Sequence, residues 1–105
     1  MQSRYNVSCD VVFDWDPVKA QVNASKHGVT FDEAVTVFFD GLALLISDPE
    51  HSDKEDRFLL LGRTWNWQVL VVSHTYRDSA STIRIISARK ANASEKAKYG
   101  EKNER

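Results

Sequence analysis

The stretch RFLLLGRTWNWQVLVVSHTYRDSASTIRIISAR fills residues 57–89. It holds three runs of β-forming residues, 57–64, 68–76 and 82–89. Trp65-Asn66-Trp67 breaks the first run from the second, and residues 77–81 break the second from the third. Connections this short join antiparallel neighbours, so the stretch predicts a three-stranded meander. Alternation along each run assigns faces. Arg57 and Arg63 share one with Leu59 and Leu61. Arg84 falls with Ile86 and Ala88, and Arg89 falls on the opposite face with Ile83, Ile85 and Ser87.

Outward from the meander the period changes. Residues 11–15, VVFDW, alternate as a half-buried strand. Asp16-Pro17 reads as a helix cap followed by proline at the first helical position, and Gly28 stops that helix just after His27. Thr30 and Glu33 form a capping box that opens a second helix, with Phe31, Ala34, Val35 and Phe38 on its buried face. A short apolar strand follows at 42–47. Residues 48–56, DPEHSDKED, form a polar loop with five carboxylates. After the meander, Asn92 and Glu95 make another capping box and a C-terminal helix begins. Helices segregated beside an antiparallel sheet of about four strands give an α+β fold.

The chain of 105 residues, 42% hydrophobic, suits one domain. Residues 1–10 show no period and read as an extension that is loose or added at a sheet edge. No apolar run is long enough for a bilayer, and the N-terminus lacks a signal-peptide pattern. Cys9 is the single cysteine, which suits a reducing cytoplasm. The net charge is −1, but it is divided unevenly. Residues 1–56 carry four Lys/Arg against eleven Asp/Glu, and residues 57–105 carry ten against four. If these halves occupy different faces, the basic one can meet a polyanion. If they mix in space, the asymmetry has no consequence.

Several chemistries find no support. His27, His51 and His74 lie in separate elements, and no HxxxH or CxxC occurs, so no metal and no cofactor is expected. Neither GxxxxGK(S/T), GxGxxG nor GxSxG is present. Arginine within strands remains. A guanidinium among isoleucines needs a partner or a solvated edge. Arg57, Arg63, Arg84 and Arg89 therefore either pair with acids of the first half, such as Asp14 or Glu33, or line a groove for phosphate, which the guanidinium fork matches. Of Trp65 and Trp67, either one caps the core and the other is exposed, or they stack on bases.

These segments resemble the BrnT toxins of bacterial type II toxin–antitoxin systems. The resemblance runs from about residue 13 to 99. It rests on FDWDPVKAQVNASKHGVTFDEAVTVF, then DPEHSDKEDRFLLLGRT, then IRIISARKANASEKAKY, in that order and spacing. It implies a RelE-like ribonuclease fold in residues 13–105, with residues 1–12 as an extension outside the pattern. It implies a metal-independent endoribonuclease that cleaves RNA, inhibits growth and is neutralised by a BrnA-type ribbon-helix-helix antitoxin, through which alone it meets operator DNA. A non-catalytic module that acts as co-repressor with a DNA-binding partner is the competing expectation. The motifs carry over to Lys26 and His27, His51, Arg57, Arg63, Arg84, Arg89, Glu95 and Tyr99. The expected catalytic set is Lys26, His51, Arg57, Arg63, His74, Arg84 and Tyr99. Arg89, Lys90, Lys96 and Lys98 are expected to bind RNA. Lys96 and Lys98 stand where the family usually has arginine, and the Trp65-Asn66-Trp67 turn is bulkier than usual.

Overall fold

A computed structural model describes residues 3–6, 11–48, 56–78 and 81–103. His51 and most of the acidic loop lie outside these residues. The elements are β1 (Ser3–Asn6), β2 (Val12–Trp15), α1 (Pro17–His27), α2 (Phe31–Val37), β3 (Leu44–Ser47), β4 (Phe58–Arg63), β5 (Val69–Arg77), β6 (Thr82–Lys90) and α3 (Ala93–Asn103). The caps form as the sequence dictates. The Val18 N–H donates to Asp16 Oδ1 at 2.9 Å, and Gly28 adopts the left-handed φ of 69° that ends α1. Both capping boxes close, Thr30 with Glu33 and Asn92 with Glu95.

The strands form one sheet in the order β1-β2-β6-β5-β4-β3. The meander β4-β5-β6 is antiparallel throughout, as its short connections require. Two features correct the expectation of about four antiparallel strands. Residues 12–90 supply five strands, and β1 adds to the edge of β2. The sheet is also mixed, because β2 runs parallel to β6, with Val12 opposite Thr82 and Asp14 opposite Arg84. Everything between these two strands acts as the long crossover that a parallel pair needs.

The inner face of the sheet packs against α1 and α2. Phe13, Trp15, Val29, Phe31, Val35, Leu70, Val72, Ile83 and Ile85 form that core. Asn23 is buried within it. Its side-chain amide donates to the carbonyls of Val29 (3.0 Å) and Ala88 (2.8 Å), and its oxygen accepts the Ala88 N–H at 3.1 Å. It thus satisfies the edge of β6 beyond the last β2 partner. The outer face is covered at one end by α3, where Tyr99 and Ala91 pack on Leu61 and Val71.

One irregularity changes the face assignments. Ser73 pairs with Ser87 but His74 pairs with Ile85, so Ile86 is an extra residue in β6. Such a β-bulge resets the alternation of side chains. Arg84, Ser87 and Arg89 lie opposite Thr75, Ser73 and Val71, which alternate along β5 and so share one face. Arg84 and Arg89 therefore occupy the same, outer face, contrary to strict alternation. Ile83, Ile85 and Ala88 all turn inward.

Candidate functional site

The outer face beyond α3 is an open floor built from three strands. Ser73 of β5 and Ser87 of β6 stand opposite each other at its centre. Arg57 enters from the residue before β4, and Arg89 from the far end of β6. With Asp48, Leu59 and Ile86 they line a cavity of about 340 Å³. Arg84 belongs to the same face, one step beyond the bulge.

The arginines differ in how they are held. Arg89 makes a two-pronged pair with Glu95, both contacts 2.8 Å long. Glu95 is itself fixed by the capping box, accepting the Asn92 N–H at 2.9 Å. The hydrogen bond from Arg89 holds the Glu95 carboxyl below its usual range, and the same bond raises Arg89. Arg84 contacts the Asp14 carboxylate at 3.4 Å, the two acting across the parallel β2–β6 pair. Arg57 makes no ion pair among the described residues. Among the described residues that line the cavity, its fork is the one that remains to meet an anion.

Other expected site residues lie elsewhere. His74 is fully buried on the inner face, between Phe38, Phe58 and Tyr76. Its Nδ1 lies 3.0 Å from the Val72 carbonyl and its Nε2 lies 3.1 Å from the Tyr76 hydroxyl. The carbonyl can only accept, so Nδ1 carries the proton and Nε2 accepts from Tyr76. Burial lowers the His74 pKa and keeps the ring neutral. Tyr99 lies under α3, and its hydroxyl donates to Asp40 Oδ2 at 2.5 Å. Burial, followed by that bond, pushes its pKa up to about 12. Lys26 is exposed at the end of α1, which packs on the inner face.

Arg63 stacks over the Trp67 ring at 4.1 Å and lines a separate cavity of about 580 Å³ with Asp40, Trp65 and Trp67. Lys90 and Lys96 line a third cavity, of about 430 Å³, beside Trp67. Lys98 lies on α3, where its charge helps lower Glu95. Apart from Lys26, exposed on α1, and His51, outside the described residues, the expected set thus separates into a groove around Arg57 and Arg89, a cationic aromatic turn, and buried groups that hold the fold. Ser73 and Ser87 escaped sequence reasoning. The signal was a serine interrupting each of two apolar runs, but pairing them requires the register. Among the described residues, no group of three His, Cys, Asp or Glu is placed to hold a metal. No helix among them is long and apolar enough to cross a membrane.

Comparison with known proteins bears on what this architecture is for. The crystal structure of the Brucella abortus ribonuclease toxin BrnT superposes with a TM-score of 0.56 at 24% identity, over 74% of this chain and 92% of that one. That likeness establishes the fold: α+β, three helices and a partly parallel sheet. No curated protein sequence matches. A family described as "Ribonuclease toxin, BrnT, of type II toxin-antitoxin system" matches over residues 15–95, from the last residue of β2 to the start of α3. With most of the chain inside that match, this protein belongs to the BrnT family of type II toxins.

Proposed function

We propose that this chain is an endoribonuclease toxin acting on RNA in the cytoplasm, with the scissile phosphate in the groove between Arg57 and Arg89. The carrying observation is that Arg57, Arg89, Ser73 and Ser87 line one cavity on the outer face of the sheet. A 2′-hydroxyl of the substrate attacks the adjacent phosphorus, and the bond to the 5′ oxygen breaks. The products are a 2′,3′-cyclic phosphate and a 5′-hydroxyl. The substrate supplies its own nucleophile, so the protein needs only to position the strand, move protons and stabilise charge. Arg57 meets the phosphoryl oxygens as they gain charge. Arg89, held rigid by Glu95, flanks it, and the serines donate hydrogen bonds.

The proton-transfer role falls to His51 in this reading. His74 and Tyr99 are committed to internal hydrogen bonds. Asp48 and Arg57, which line the groove, bound the loop that carries His51. An antitoxin of the ribbon-helix-helix type neutralises the toxin by covering the same cations, and that complex weakens as salt is added.

Inducing the chain with and without its antitoxin, while following growth and RNA integrity, tests the proposal. Growth arrest with RNA carrying cyclic phosphate ends is expected, and chelators should leave the cleavage of purified RNA unchanged. Intact RNA alongside tight antitoxin binding would make the protein a non-catalytic co-repressor module instead.

A further inference from the structure

The turn between β4 and β5 is built in an unusual way. Trp67 has a φ of 73°. A bulky side chain enters that left-handed region only at an energetic cost, and a three-residue hairpin loop usually places glycine there. The loop is nonetheless firmly held. The Trp67 N–H donates to the Thr64 carbonyl at 3.0 Å, the Thr64 N–H to the Gln68 carbonyl at 2.8 Å, and the Trp65 N–H to Thr36 Oγ1 of α2 at 3.1 Å. The Thr64 hydroxyl also bonds the Asn66 side chain. For all this, Trp67 is 73% exposed and Trp65 72% exposed. An indole that is strained, pinned and bare contributes nothing to the core that would offset its backbone.

Its surroundings are cationic. Trp67 is shared by two cavities. Arg63 stacks on the ring and lines the first of them. The second, about 430 Å³, is lined by Trp67, Gln68, Val69, Lys90 and Lys96 and includes no carboxylate. Lys90 directly follows Arg89 on the strand and chain of the candidate groove. An aromatic face backed by a guanidinium and flanked by two lysines matches a single-stranded nucleic acid, with a base on the ring and phosphates on the ammonium groups.

We propose that Trp67 is a base-stacking subsite that holds an unpaired nucleotide of the RNA, with Lys90 and Lys96 on the neighbouring phosphates. The inference rests on the ribonuclease reading for the kind of strand bound. Stacking is indifferent to base identity, so the subsite supplies affinity and positioning rather than sequence choice.

Binding and cleavage are tested separately with the purified full-length chain. The probe is a short single-stranded 2′-O-methyl oligonucleotide, which has no free 2′-hydroxyl to attack. Its affinity is measured for wild type, Trp67→Gly, Trp67→Phe and Lys90→Ala/Lys96→Ala, beside each thermal midpoint. Trp67→Gly should weaken binding roughly five- to hundredfold. Its midpoint should hold or rise, since glycine relieves the strained φ. Trp67→Phe should recover part of the affinity, and the double lysine variant should show a shallower salt dependence. Unchanged affinity in Trp67→Gly overturns the subsite. So does a loss that appears only with a lower midpoint, and so does unaltered oligonucleotide binding with weakened antitoxin binding, which makes the turn a protein contact. A wild type that binds through Trp67 but cuts no unmodified RNA retires the ribonuclease reading and keeps the subsite. One that cuts RNA, with KM unchanged in Trp67→Gly, does the reverse.

Discussion

The Tyr99 hydroxyl donates a 2.5 Å hydrogen bond to Asp40, joining the last helix to the turn after α2. Asp40 also accepts the N–H groups of Leu42 and Arg63, each at 2.9 Å. Burial would raise the Asp40 pKa, but these three bonds and the Arg63 charge hold it below its usual value. Tyr99 is raised from 10.0 to about 12. A raised folded pKa gives stability that is complete below pH 10 and is lost as pH climbs toward 12. The depressed Asp40 adds stability that is present above about pH 4 and fades as acid protonates it. Tyr99→Phe should cost roughly 1.5–3 kcal/mol at neutral pH and remove most of the alkaline loss. Thermal midpoints of both proteins from pH 7 to 12 check this.

His74 predicts the opposite limb. Burial lowers its pKa, so the folded protein keeps it neutral where the unfolded chain takes up a proton. Its contribution to stability is complete above about pH 6.5 and declines on acidification below that value. His74→Phe should lower stability at pH 7, because two hydrogen bonds are lost, yet flatten the slope between pH 6.5 and 5. Urea titrations at four pH values resolve the two effects.

Arg57 and Arg84 should separate activity from stability. Arg57 makes no ion pair among the described residues, so Arg57→Ala should leave the thermal midpoint almost unchanged. Loss of one charged transition-state contact should lower RNA cleavage about 10²- to 10³-fold. Arg84→Ala removes a partner from the buried Asp14 carboxylate and should cost about 1–3 kcal/mol. Asp14→Asn in that background should recover part of the loss. Unaltered cleavage by a folded Arg57→Ala would move the phosphate out of this groove.

Gly62 marks a close approach. A Cβ there would lie 2.9 Å from both Ala43 Cβ and Val37 Cγ1, which belong to the turn that carries Asp40 and to α2. Gly62→Ala should destabilise by roughly 1–3 kcal/mol through overpacking. It should also loosen the Arg63 N–H bond to Asp40, which amide hydrogen exchange at Arg63 would report.

Local signals in the sequence were strong enough to place the three helix N-caps and the C-cap of α1, because Asp16, Gly28, Thr30 and Asn92 each act within four residues, whereas α2 ends at Val37 rather than at Asp40-Gly41. The meander was legible for the same reason: its connections are short and its runs dense in β-formers. The parallel β2–β6 pair was not, since residues 12 and 82 meet only through the tertiary fold. The candidate groove was half legible. Arg57 and Arg89 stood out as charges at or within strands, but their sharing one cavity with Ser73 and Ser87 depends on register. His74 looked available because alternation cannot tell an inward polar residue from an outward one. Only the cage of Phe38, Phe58 and Tyr76 shows that it is interior.

Ile86 behaves like a spacer written in side chains. It occupies one position of β6 while claiming no partner on β5. Were it drawn into the ladder opposite Ser73, with the strand held in place at Arg84, Arg89 would fall opposite Leu70 and turn toward the hydrophobic layer, and Ala88 would turn out to the groove. Removing Ile86 altogether would instead leave Ser87 opposite Ser73 and Arg89 opposite Val71, the pairs they make now. A spacing of five between two arginines on one face of a strand is thus legible only as four plus a bulge, and a relative that lacks the extra residue would carry the same pair four apart.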